Sequence, residues 1–93
     1  MEQANGVKIS AVIITFNEED RLPDALTSLQ GVADEIVVVD SYSTDRTPEI
    51  ARQAGTMFFQ NRFEDYGQQK NFAMQKAGYE WILNLDADER LNP

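Results

Sequence analysis

Ninety-three residues, 42% of them apolar, can build one small core, and a chain of that size buries roughly 60 to 65% of the surface it exposes when unfolded. There is no cysteine and no histidine, which excludes disulfides, thiolate nucleophiles, cysteine-ligated zinc and every catalytic arrangement that needs an imidazole. Eight basic against sixteen acidic residues leave a net charge of −8, which repels nucleic-acid phosphates and anionic membranes alike, so any chemistry must run on carboxylates, amides, hydroxyls and a metal ion.

Residues 1–7 carry neither the basic nor the apolar region of a signal peptide and are expected to be a disordered leader to a domain over 8–93. No apolar run approaches the roughly 18 residues that span a bilayer; a soluble, cytoplasmic piece is the expectation. Residues 8–15 are β-branched and almost continuously apolar, as in a strand covered on both faces. Asn17 then offers a helix cap with Glu18, Glu19 and Asp20 in the first turn, and Leu22, Ala25, Leu26 and Leu29 recur at helical spacing until Gly31. Residues 35–40 form a second buried strand ending in Asp40, and 41–45 a polar turn into a short helix with Pro48 in its first turn and Gly55 at its close. Residues 56–60 read as a third, edge-like strand, 61–67 as a polar loop holding Phe63 and Tyr66, 68–77 as a helix stopped by Gly78, and 79–85 as a fourth strand.

The β-α-β-α-β-α-β order implies right-handed crossovers and an open, mainly parallel α/β sheet with helices on both faces. The chain stops a few residues past its last strand, so it reads as the truncated front portion of a longer protein, with a sheet edge exposed to self-association.

Ligands of open α/β sheets gather at the carboxyl ends of the strands, and that edge is where the polar motifs fall. The last apolar run, Trp81 to Leu85, feeds into Asp86-Ala87-Asp88-Glu89, whose first two acids stand two residues apart and so on one side of a strand, where a hard divalent cation fits; a solvated turn is the alternative. Asp40 ends its own strand and serves equally well as a turn former. The 41–45 stretch suits a helix cap. Thr15, Asn17 and Glu18 follow strand one, and Lys70 is either a surface lysine or a cation near a diphosphate. Neither a G-x-x-x-x-G-K-[ST] nor a G-x-G-x-x-G motif follows strand one, so phosphates held here would need a metal.

Taken together, strand one with Thr15-Phe16-Asn17-Glu18, the Asp40-Ser-Tyr-Ser-Thr-Asp45 turn, the Gly67-Gln-Gln-Lys70-Asn71 helix start and the Asp86-Ala-Asp88-Glu89 ending resemble the nucleotide-binding half of family 2 inverting glycosyltransferases of the GT-A fold. Within that family the last two motifs look most like bacterial enzymes that glucosylate the lipopolysaccharide core. The resemblance implies strand order 3-2-1-4 and a UDP-sugar donor across strands one, two and four, with Thr15, Asn17 and Glu18 lining the nucleotide pocket. Asp40 would accept from the base, Asp86 would face ribose or sugar, and Asp88, with Asp86, would hold Mg²⁺ or Mn²⁺ on the diphosphate. Lys70 stands where many relatives carry arginine, keeping the charge without the planar fork.

The implied reaction is a single displacement with inversion onto a saccharide or lipid-linked saccharide acceptor, in the cytoplasm or at the inner face of the cytoplasmic membrane. Its base is expected beyond Pro93, so the fragment is expected to bind donor without turning over. The competing readings are an Mg²⁺-dependent nucleotidyltransferase and a non-enzymatic receiver-like module with Asp40 as phosphoacceptor.

Overall fold

The computed structural model describes residues 7–86, and within them the expected order holds: β1 (Ile9–Thr15), α1 (Leu22–Ser28), β2 (Glu35–Asp40), α2 (Thr47–Gln53), β3 (Met57–Gln60), α3 (Tyr66–Lys76) and β4 (Trp81–Asp86). The strands line up as β3-β2-β1-β4, every neighbouring pair parallel. The earliest strand thus lies inside the sheet, flanked on both edges by later ones. The leader lies almost wholly outside the described residues, as do Asp88 and Glu89.

Strand alternation sorts the core into two layers. Ala11, Ile13, Val38 and Leu85 turn to one face and pack with Leu22, Ala25, Leu26 and Leu29 of α1 and Ala51 of α2. Val12, Val37 and Val39 turn to the other and meet Ala73 of α3, with Phe59, Phe72, Met74 and Ala77 around them. β1 and the second half of β2 are buried on both faces, which is why they read as continuous apolar runs.

Three element starts differ from the sequence expectation by two residues or more, each for a local polar reason. α1 begins at Leu22 rather than just after Asn17: the N–H groups of Arg21 and Leu22 donate to the Glu18 carbonyl, while Asn17 sits at φ 52° with its side chain engaged elsewhere. α3 starts at Tyr66, two residues early, because the Asp65 carboxylate accepts the Gln68 N–H at 2.8 Å and caps the helix. β4 starts at Trp81 rather than at 79, since the Gly78 N–H donates to the Glu35 carboxylate and the Tyr79 N–H to Ser10 Oγ, leaving neither for a ladder.

Candidate functional site

At the carboxyl edge, the loops after β1, β2 and β3 and the end of β4 enclose a cleft of about 1030 Å³ lined by Ile14, Thr15, Phe16, Glu18, Ser41, Tyr42, Arg62, Phe63, Tyr66 and Asp86. Phe16, Tyr42, Phe63 and Tyr66 are each about half exposed. A rim of aromatic rings open to water is unusual outside a binding surface.

The loops after β1 and β2 are stitched together. Asn17 N–H donates to Ser43 Oγ at 2.8 Å and Thr44 N–H returns to Asn17 Oδ1 at 2.9 Å. Glu18 N–H reaches Thr47 Oγ1, Glu19 N–H reaches Asp45 Oδ2, and Arg46 N–H reaches Glu19 Oε1. Asp45 also accepts from Thr47 N–H at 2.9 Å, a helix-capping contact of the kind the sequence suggested for this turn. Desolvation, the largest single influence, pushes the Asp45 carboxyl up, but the hydrogen bonds from Thr47 and the Glu19 N–H together outweigh it and hold the group below its ordinary value. On the far side, the buried Gln69 amide donates to Ser41 Oγ and to the Asn61 carbonyl, both at 3.0 Å, and accepts from Asn61 Nδ2 at 2.9 Å. Side chains thus hold this edge beside the last ladder-type bonds, from Ser41 N–H to the Thr15 carbonyl and from Asn61 N–H to the Asp40 carbonyl.

Asp40 and Asp86 end neighbours of the central strand, yet they leave on opposite faces of the sheet. Asp40 pairs in register with Thr15 and shares the parity of Val38, which faces α1 and α2; Asp86 registers with Ile14 and faces α3. Asp40 is wholly buried, accepting from Thr15 Oγ1 at 2.7 Å, Ser43 N–H at 2.8 Å and Ser43 Oγ at 2.5 Å. In this structure the Asp40 carboxylate is turned inward, and the neighbouring Ser41 and Tyr42 line the cleft. The same burial removes the receiver-like reading, since a phosphoacceptor must be reachable.

Asp86 lies at the cleft, its Oδ1 2.5 Å from the Tyr66 hydroxyl, which donates to it, and 3.6 Å from Lys70 Nζ. Lys70 also lies over the Tyr66 ring at 5.4 Å. Lys70 thus lies at the carboxyl edge with its charge directed at Asp86. Arg62, by contrast, lines the cleft, is exposed and has no ion pair or hydrogen bond among the described residues.

Thr15 and Glu18 reach the cleft wall, with Glu18 3.6 Å from Arg21, whereas Asn17 acts on the neighbouring loop. The described residues contain no group of three or more acids able to hold a metal, and Asp88, assigned to it by the sequence, lies outside them. Sequence reasoning passed over Tyr42, Arg62 and the latch role of Gln69. The available signals were a bulky ring amid small turn residues, and one arginine in an aromatic loop.

A parallel 3-2-1-4 sheet with its cleft at the carboxyl edge is the opening half of a GT-A glycosyltransferase fold. The model of the family described as "Glycosyl transferase family 2" matches residues 10–93, and the chain belongs to that family. A Rickettsia felis protein described as an uncharacterized glycosyltransferase is 47% identical over 85 residues, covering 91% of this chain and 30% of its own length. The lipopolysaccharide core biosynthesis glycosyltransferase LpsC of Rhizobium meliloti is 42% identical over 89 residues, covering 90% of this chain and 33% of its own. Among solved structures, S. aureus TarS in complex with UDP superposes with a TM-score of 0.70 at 29% identity, over 92% of this chain and 29% of that one. The chain thus spans about a third of the length of the curated relatives it matches.

Proposed function

We propose that this chain is the donor-binding portion of an inverting glycosyltransferase that takes a UDP-sugar and passes the sugar to a saccharide acceptor, most simply the lipopolysaccharide core. The observation that carries the reading is the aromatic cleft at the carboxyl edge with Asp86 at the end of β4, on a chain of this family. The TarS complex, which contains UDP, supports the nucleotide, and LpsC supports the acceptor class.

In this reading Thr15, Glu18, Ser41 and Tyr42 meet the nucleoside, and Asn17 and Asp40 act through the loops they hold. Arg62, rather than Lys70, supplies the planar cation that suits a diphosphate. Asp86 offers the hard oxygen chemistry that Mg²⁺ or Mn²⁺ prefers, and Asp88, two residues on, would complete the donor set. When bound, such an ion would neutralise charge growing on the departing diphosphate. Lys70 and the Tyr66 hydroxyl hold Asp86 toward α3.

Calorimetry of the chain with UDP, with and without Mn²⁺, on the native sequence and Asp88→Ala tests this. Binding that strengthens with Mn²⁺ and loses the gain in the variant is expected. Identical affinity in all four conditions removes the metal, and no UDP binding at all removes the function.

A further inference from the structure

Tyr42 occupies a backbone conformation that its residue type resists. Its φ is 58°, in the left-handed region, where a side chain crowds the following carbonyl at a cost of roughly 1 to 2 kcal/mol. Aromatic residues seldom sit there, and a glycine in that place would meet no such crowding. The other described non-glycine residue at positive φ, Asn17, belongs to a type that tolerates the region and uses its side chain to bind Thr44 N–H. The Tyr42 ring has no such local use among the described residues: it is 60% exposed, its side chain makes no hydrogen bond or ring contact with them, and it lines the cleft. Its backbone N–H is tied to Gln60 Oε1 at 3.0 Å, and Gln60 belongs to the edge strand β3. Ser43 next to it is clamped twice by Asp40, and Ser41 before it is held by Gln69.

Strain kept in place by its surroundings, with the strained side chain left idle by the fold, points to a ligand. We infer that Tyr42 is the nucleobase platform of the cleft: the left-handed turn lifts its ring into the opening, where a flat uracil stacks on it. This depends on the donor-binding reading above and deepens it by assigning the base its aromatic partner. A flat π surface suits a base because stacking is worth roughly 1 to 3 kcal/mol and needs no hydrogen-bond code. Phosphate and metal gain nothing from it, so the ring's contribution must travel with the base alone.

A residue that strains the fold to serve a ligand has a distinctive signature: removing it stabilises the protein and weakens binding together. Tyr42→Gly and Tyr42→Asn both relieve the left-handed strain and both delete the ring, the asparagine without glycine's unfolded-state freedom. Each variant is expected to melt about 2 to 6 °C higher than the native chain, and to bind uridine and UDP about tenfold more weakly, a loss of 1.4 kcal/mol. Pyrophosphate with Mn²⁺, which lacks a base, should bind native and variant chains equally, and Tyr42→Phe should keep both native stability and native affinity. Thermal melting and isothermal titration with uridine, UDP and Mn²⁺-pyrophosphate read all of this out. Native-like uridine affinity in Tyr42→Gly and Tyr42→Asn overturns the inference, as does lower melting in both, which would make the ring a structural element. A native chain that binds Mn²⁺-pyrophosphate but neither uridine nor UDP overturns the platform alone, whereas binding of none of the three removes the donor-binding reading with it.

Discussion

Asp40→Ala separates a structural carboxylate from a ligand-facing one. The Asp40 carboxylate accepts from Thr15 Oγ1, Ser43 N–H and Ser43 Oγ while fully buried. Truncation leaves the buried Thr15 hydroxyl without its acceptor, at about 1 to 3 kcal/mol, and forfeits charge-assisted bonds to Ser43, which is half-buried and recovers part of that loss from water. A net destabilisation of about 3 kcal/mol follows, against a total of roughly 5 to 14 kcal/mol for a domain of this length. With a urea m-value of about 1.5 kcal/mol/M, the unfolding midpoint should fall by about 2 M. Asp40→Asn keeps one acceptor oxygen and should lose about half as much. Far-UV circular dichroism through a urea titration measures both. An Asp40→Ala chain that unfolds at the native midpoint yet fails to bind UDP would refute the reasoning, because the carboxylate would then be facing ligand rather than Thr15 and Ser43.

Asp45 has a folded value held below its ordinary 3.8, so its contribution to stability is present above about that pH and is lost as pH falls through the lower folded value. The urea-midpoint gap between the native chain and Asp45→Asn should therefore be open at pH 7 and narrow in acid; a gap independent of pH would remove the capping role. Arg62→Gln should weaken UDP about tenfold while leaving uridine affinity unchanged, with Arg62→Lys intermediate, in titrations without metal; an unchanged UDP affinity would return the diphosphate role to Lys70. Glu35 accepts from Ser10 Oγ at 2.5 Å and from the Gly78 N–H at the entry to β4. Glu35→Ala should cost about 2 kcal/mol and speed hydrogen exchange along β4 before the rest of the sheet; uniform exchange throughout would contradict a local clasp.

The seven elements followed from short-range physics, whereas the sheet order was implied by the family resemblance. Continuous apolar runs at residues 9–15 and 35–40 required cover on both faces, and the helical spacing of Leu22, Ala25 and Leu26 supplied it on one side. Boundaries were less legible where side chains compete for backbone groups, as when Glu35 and Ser10 take the Gly78 and Tyr79 N–H groups from β4. The site divided in the same way. That Asp40 and Asp86 end strands at one edge of the sheet was readable from the chain, and so was the capping turn at Asp45.

What the chain alone determined, then, was which residue types arrive at the carboxyl edge, because hydrophobic period and turn chemistry act over a few neighbours. What tertiary structure decided was the direction each one faces. The register of β2 and β4 on β1 sends Asp40 inward to Thr15 and Asp86 outward to Tyr66 and Lys70, and a shift of one residue would exchange those faces. Hydrogen bonds between groups twenty-six or more residues apart join the loops after β1 and β2, and Tyr42 of the second loop lines the cleft with Arg62. Such outcomes depend on which distant groups claim each hydrogen bond, and that competition exists only once the strands are paired.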